Sequence, residues 1–303
     1  MRDEAGRKAD GEAVEVDARG RRDAEGVTVA EAVAEAERRL AAAGVEAARV
    51  DAERLAEKAL GVSRTELYLD PDRPLSTGES AELDRLLGRR ARREPLAYVL
   101  GEWGFRRLTL KVDGRVLVPR PETEVVVQRC LDLLAGVPEP AVLDVGTGSG
   151  AIALAIADEH PGARVTAVDV SADALELARE NARVTGLEVA FQLADVRDGL
   201  EGTYDLVVSN PPYVSGEEIE ELQPEVRDWE PRIATVGEDH TAVIVDGATS
   251  VLVPGGHLVL EVADGRADEV ARFLRDRGYD GVRTGRDLTG RDRVVEGRWS
   301  SAR

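Results

Sequence analysis

The apolar run Val142-Leu143-Asp144-Val145 passes directly into Gly146-Thr147-Gly148-Ser149-Gly150, and then into an apolar stretch over 151–157. A buried strand, a glycine turn and a buried helix in immediate succession make the first half of a βαβ unit. Such a unit is stable only within a mostly parallel sheet covered on both faces. Glycines at this turn let the backbone come close to a bound molecule, and the helix N-terminus offers unpaired N–H groups. Asp169 closes the next apolar run, Ala167-Val168-Asp169, about 20 residues further on, where an acid accepts from ribose hydroxyls.

The rest of the chain from residue 141 continues the alternation. Apolar runs predict strands near 141–145, 164–169, 188–193, 204–209 and 257–262, and helical spacing predicts helices near 151–159, 172–185, 241–253 and 267–277. The fold class is therefore α/β, with a doubly wound Rossmann-like sheet. Upstream the pattern differs. Residues 1–27 are polar and aperiodic and are expected to be a disordered tail. Residues 28–100 read as a small helical domain. Thr28 and Glu31 fit a capping box, Gly44 and Gly61 fit helix ends, and Ser63 and Glu66 fit a second box. Leu83, Leu86 and Leu87 mark a fourth helix running into Arg89, Arg90, Arg92 and Arg93, read as a solvated face or a patch for an acidic partner. Period-two spacing around Asp113-Gly114 predicts a β-hairpin linker over 101–120, with the turn at that dipeptide. Residues 121–303 form the second domain. Glu122 and Glu124 either cap the helix that follows or meet a ligand's ammonium.

Composition narrows the function classes. The net charge of −19 argues against nucleic acid as the substrate. Cys130 is the single cysteine and only three histidines occur, so neither a disulfide nor a metal centre is expected. No apolar stretch reaches the length of a membrane span and no leader is evident, so a cytoplasmic protein with no membrane association is expected, as a monomer.

The chemistry is carried by Asn210-Pro211-Pro212-Tyr213, which follows the buried run Leu206-Val207-Val208-Ser209. Prolines hold φ and carry no N–H, so nearby carbonyls are left for a substrate. The Asn side chain offers one acceptor and two donors. Asn210 and Pro211 can grip a planar NH2 group by its hydrogens while its lone pair faces outward, with Pro212 and Tyr213 completing the pocket. The glycine turn alone leaves a dinucleotide and S-adenosylmethionine (SAM) both open. Hydride transfer has no use for an amide clamp, and methyl transfer to nitrogen does. Asp195, after Leu193-Ala194, is either an acceptor for the adenine amine or a plain loop acid, with Val196 beside it.

With these motifs the chain resembles the class I SAM-dependent methyltransferases, and more narrowly the release-factor glutamine methyltransferase family, also known as PrmC or HemK. The resemblance spans 28 to about 299. Its carriers are Pro119-Arg120-Pro121-Glu122-Thr123-Glu124, the glycine turn, Asn210-Pro211-Pro212-Tyr213, Glu230-Pro231-Arg232 and the ending around Gly290-Arg291. It implies a seven-stranded sheet and an N-terminal domain that recognises the substrate. It also implies SAM bound by Gly146, Thr147, Gly148, Ser149, Gly150, Asp169, Asp195, Val196 and Asn210. The implied reaction is methylation of the side-chain nitrogen (N5) of glutamine in the Gly-Gly-Gln loop of a class I peptide chain release factor, with Asn210, Pro211 and Tyr213 as catalytic residues. The alternatives are an adenine-N6 methyltransferase on RNA or DNA, a glutamine methyltransferase of a ribosomal protein, and a non-catalytic binding module on the same fold.

Overall fold

The computed structural model describes residues 26–237 and 239–300, so the tail expected over 1–27 lies outside the described residues except for Gly26 and Val27. The chain divides into two compact units, Met1–Ala91 and Arg92–Arg303.

The described part of the first unit holds α1 (Val29–Ala42), α2 (Ala48–Leu60), α3 (Arg64–Leu69) and α4 (Thr77–Ala91). Both capping boxes form as the sequence predicts, at Thr28 with Glu31 and at Ser63 with Glu66. Gly61 ends α2 at φ 65°, a conformation that a Cβ would strain. Leu40, Leu55, Leu86 and Leu87 supply the core. The arginine run is not simply a solvated face. Arg90 is buried and its Nε donates to Asp51 at 2.7 Å. Such a site demands a partner carboxylate, because a lone buried charge is costly. Ser63→Ala removes the hydroxyl that accepts from Glu66 N at 3.3 Å. It should cost this unit about 1 kcal/mol in a urea titration.

The second unit opens with α5 (Leu96–Leu100) and a hairpin of β1 (Glu102–Phe105) and β2 (Leu108–Lys111). The hairpin turns at Arg106-Arg107, not at Asp113-Gly114. Arg106 takes φ 50°, which is unusual outside glycine. Tertiary anchors hold it there: its N–H donates to Glu124 at 2.9 Å and its guanidinium to Glu159 and Gln128. Asp113-Gly114 instead makes a later turn, in which Asp113 O accepts from Val116 N at 3.2 Å. Val116 then packs on Ala174 and Leu177.

After α6 (Thr123–Leu134) comes the sheet. Its strands are β3 (Ala141–Val145), β4 (Arg164–Asp169), β5 (Ala190–Leu193), β6 (Tyr204–Ser209), β7 (Leu252–Glu261), β8 (Tyr279–Arg286) and β9 (Asp292–Trp299). The intervening helices are α7 (Ala151–Glu159), α8 (Ala172–Thr185), α9 (Pro224–Trp229), α10 (Arg232–Thr235), α11 (His240–Val251) and α12 (Ala267–Asp276). The strand order is β5-β4-β3-β6-β7-β9-β8, seven strands in all. The first five are parallel, while β9 runs antiparallel to β7 and β8 antiparallel to β9. Side chains alternate between two cores. Val142, Leu206 and Val208 pack with Val126, Val127, Ile152 and Ile156 on one face. Leu143, Val207 and Leu258 pack with Ile244, Val245, Ala271 and Leu274 on the other. Period-two spacing puts neighbours on opposite faces, so a chain apolar at every strand position is buried on both.

Two strands escaped the periodicity. β8 reads Tyr-Asp-Gly-Val-Arg-Thr-Gly-Arg and is largely exposed at the sheet edge, so no apolar alternation marks it. β9 is buried but carries charges, which find partners only in three dimensions: Glu296 accepts from Arg129 Nη2 at 2.8 Å, and Arg293 Nη1 donates to Val262 O at 3.2 Å.

Candidate active site

The strand order reverses between β3 and β6, and ligands of open α/β sheets bind at the carboxyl ends beside such a reversal. Val145 and Ser209 are register partners across β3 and β6. The residues that follow them, Gly146 and Asn210, therefore leave adjacent strand ends on one rim. Ser209 Oγ, fully buried, donates to Val145 O at 2.6 Å and ties the two ends together.

A cavity of about 290 Å³ opens at this rim. Its floor is Val145, Gly146, Thr147, Gly148 and Ser149, and Asp169, Asp195 and Val196 stand at the ends of β4 and β5. Asn210, Pro211 and Pro212 close the opposite side, and the 115–120 segment, Thr123 and His240 complete the lining. Gly146 and Gly148 have φ of 73° and 56°, and a Cβ on either would meet no protein atom within 4 Å. The glycines thus leave open space for a bound molecule. Gly150 differs. It lies outside the lining, at φ 82°, where a Cβ would press on Leu154 and Ala178 at 3.1 and 3.3 Å. Its role is close approach of α7 to α8, as the last glycine of such a turn provides.

Asp169 organises the turn. Its Oδ2 accepts from Gly148 N at 2.8 Å and its Oδ1 from Ser171 N at 2.9 Å. Burial raises its pKa, and these N–H bonds oppose the rise. Each carboxylate oxygen keeps a lone pair for a further donor. Asp195 caps the short 3₁₀ turn that follows it, with Arg197 N donating to Oδ1 at 2.9 Å. Asp195 is thus a loop cap that also lines the cavity.

Below the turn, Asp144 is fully buried and accepts from Thr147 Oγ1 at 2.6 Å. Burial pushes its pKa up to about 7. Glu261, at the carboxyl end of β7, is likewise buried, and its pKa is also pushed up to about 7. Glu261 Oε2 accepts from Thr123 Oγ1 at 2.7 Å, and Asn210 Nδ2 donates to the same hydroxyl at 3.4 Å.

Several placements depart from the expectations. Tyr213 does not wall this cavity. It lines a second one with Glu261, Val262 and Phe273. Burial raises the pKa of its phenol, which stays protonated at neutral pH. Glu122 occupies the N-cap position of α6 without a side-chain cap bond, while Glu124 lies in the first turn of α6, where a carboxylate is favoured, and also accepts from Arg106 N in the hairpin turn. Thr123, between them, is the residue that reaches the cavity. Thr123 and Glu261 were readable as candidates. One sits inside the Pro-Arg-Pro-Glu-Thr-Glu motif, and the other ends a buried strand with an acid, as Asp169 does and Asp144 nearly does.

Motifs distant in sequence meet here. Arg120 Nη2 donates to Glu230 Oε2 at 2.6 Å, and Val118 N to Glu230 Oε1 at 3.2 Å. Pro-Arg-Pro-Glu-Thr-Glu and Glu-Pro-Arg are thus one device that holds the cavity's 115–120 wall. Burial raises the Glu230 pKa while the Arg120 guanidinium pulls it back. Arg120→Met leaves that carboxylate without its main partner and should cost about 2–4 kcal/mol. Without the guanidinium its folded pKa rises further above the unfolded value of about 4.3. The variant's deficit therefore grows as pH rises through the folded value, and is larger near pH ~8 than near pH ~5. Guanidine melts at both pH values check this, and equal deficits would reject it.

A family model for the PrmC N-terminal domain matches residues 31–101, and one for the methyltransferase small domain matches 124–225. A release factor glutamine methyltransferase of Caulobacter vibrioides is 42% identical over 278 residues, 89% of this chain and 96% of that protein. One of Deinococcus radiodurans is 44% identical over 267 residues, 86% of this chain and 94% of that protein. The chain belongs to the release factor glutamine methyltransferase family. Among solved structures, a methyltransferase from Pyrococcus furiosus shares the fold at a TM-score of 0.50 and 20% identity, over 70% of this chain and 98% of that one. The release factor glutamine methyltransferases match this chain across both units, from the helices of the first to the sheet of the second.

Proposed function

We propose that this protein transfers the methyl group of SAM to the side-chain amide nitrogen of the glutamine in the Gly-Gly-Gln loop of class I peptide chain release factors. The observation that carries this is the pairing of Val145 with Ser209, which puts the glycine turn and Asn210 on one rim of one cavity. SAM supplies an already activated methyl group, so the protein's task is to position and orient.

Gly146, Thr147, Gly148 and Ser149 would give their backbone to the cofactor, and Asp169 would accept from its ribose hydroxyls. Asp195 would accept from the adenine amine, and Val196 would pack on the base. Gly150 acts one step away, by seating α7. On the acceptor side, Asn210 Oδ1 and the Pro211 carbonyl take the two N–H bonds of the substrate amide. Among the described residues no group donates to Asn210 Oδ1, which leaves it for this use. An amide nitrogen is a poor nucleophile because its lone pair is delocalised. Two acceptors on its hydrogens favour charge build-up on nitrogen and direct the lone pair toward the methyl carbon. Pro212 makes the wall beside the clamp. Tyr213 lies on the second cavity and contributes no base. No general base is needed, because the methylated amide sheds its proton after transfer.

No helix among the described residues is long and apolar enough to cross a membrane. The enzyme works in the cytoplasm, as a monomer, on release factors. Co-expression with a class I release factor followed by peptide mass spectrometry tests the function. A single added methyl on the glutamine of the Gly-Gly-Gln loop is expected. An unmodified release factor together with a methylated adenine in nucleic acid from the same cells would overturn it.

A further inference from the structure

An asparagine presents its oxygen and its NH2 group in nearly the same shape, so a clamp built on Asn210 works only if something sets which end faces the substrate. Asn210 Oδ1 must face the substrate to accept its N–H, so Nδ2 must face inward. The group it meets there is Thr123 Oγ1, at 3.4 Å. A hydroxyl has a single proton, and Thr123 spends it on Glu261 Oε2 at 2.7 Å. Its remaining capacity toward Asn210 is as an acceptor only. Both partners are buried, at 4% exposure for Thr123 and 1% for Glu261, so the bond between them is largely shielded from bulk solvent.

We propose that Thr123 and Glu261 are positioning residues that hold the Asn210 carboxamide with its oxygen, rather than its NH2 group, presented to the substrate amide. This rests on the glutamine clamp proposed above. The device depends on Glu261 being an acceptor. With a proton on Glu261 the chain of bonds runs the other way. Glu261 donates to Thr123, Thr123 donates to Asn210 Oδ1, and the flipped amide meets the substrate's NH2 with its own donors. The charged neighbours of Glu261 come from every side. Arg120 precedes α6 and Arg293 stands on β9, and both favour the carboxylate. Glu122, beside Thr123, disfavours it, and burial disfavours it most. The neutral phenol of Tyr213 shares the second cavity with it. The resulting pKa, about 7, places the switch within the working range of pH.

The test uses the full-length enzyme with a release factor, comparing wild type, Thr123→Val, Thr123→Ser and Glu261→Gln. Thr123→Val has nearly the same shape and should lower kcat about 10- to 100-fold, as a small misplacement of a reacting group does. Its affinity for SAM in a calorimeter should stay within about twofold of wild type. Thr123→Ser keeps the hydroxyl and should recover most of the loss. Wild-type kcat should fall as pH drops through about 7, and Glu261→Gln should lack that acid limb. A Thr123→Val enzyme with wild-type kcat, or an acid limb that persists in Glu261→Gln, overturns the proposal. If a variant does not fold, the wild-type profile decides, and a kcat flat from about pH 5.5 to about 8 overturns it as well. Failure of the glutamine reading is a separate result, namely a wild-type enzyme that leaves the release factor unmethylated.

Discussion

Asn210→Ala should lower kcat on the release factor about 10²-fold or more, while its affinity for SAM in a calorimeter should stay within about twofold of wild type. The size follows from what the side chain is asked to do. The substrate nitrogen must gain positive character in the transition state, and a preorganised acceptor on one of its hydrogens is worth several kcal/mol in a site closed to water. Asn210 Oδ1 is that acceptor. Pro211 supplies the other through its backbone, which the substitution leaves in place. Cofactor binding is spared because Asp169 and the glycine turn stand on β3 and β4, not on β6. Asn210→Asp sharpens the test. It keeps acceptors toward the substrate but loses the Nδ2 donor to Thr123 and adds a charge, so its activity should fall between Ala and wild type. Wild-type turnover in Asn210→Ala would remove the clamp from the mechanism.

Asp169→Ala has the opposite signature. The carboxylate is half-buried and already receives Gly148 N and Ser171 N at 2.8 and 2.9 Å. Two further bonds from ribose hydroxyls, at about 1.5 kcal/mol each for a charged acceptor, total about 3 kcal/mol. That energy corresponds to a loss of about 100-fold in SAM affinity. The substitution also releases the glycine turn, because Gly148 loses its acceptor. Asp169→Asn keeps one acceptor oxygen and should lose about tenfold. At saturating SAM, kcat of either variant should change little, since the acceptor clamp is untouched. Titration calorimetry measures the affinity, and a Kd within about threefold of wild type for Asp169→Ala would reject the ribose contact. Together the two substitutions separate binding from chemistry: one moves Kd and spares kcat, the other does the reverse.

The parts of the fold that were legible in the chain are those whose signal is local. Val142 to Gly150 announces a strand, a turn and a helix because apolar periodicity and glycine report backbone geometry within a few residues. Thr28 with Glu31, and Ser63 with Glu66, announce helix starts for the same reason, and both caps form. The hairpin shows where local signals fail. Asp113-Gly114 is the better turn dipeptide, yet the chain turns at Arg106-Arg107, because the anchors on Glu124 and Glu159 outweigh the strain of a positive φ at arginine. β8 was invisible because an exposed edge strand needs no apolar alternation.

From the order of residues alone come the βαβ sheet, the glycine turn with its spaced acid, and an amide with two prolines at a strand end. Each is a property of a short stretch of backbone. The packed molecule settles which of those stretches share a cavity. Asn210, Thr123 and Glu261 lie far apart in the chain, with separations of 87 and 138 residues across the two hydrogen bonds that join them. It also turns Tyr213 toward a second cavity and spends Glu124 on a hairpin. Strand order and register make those choices, because side-chain direction beyond a strand end depends on what the neighbouring strands and helices leave unfilled.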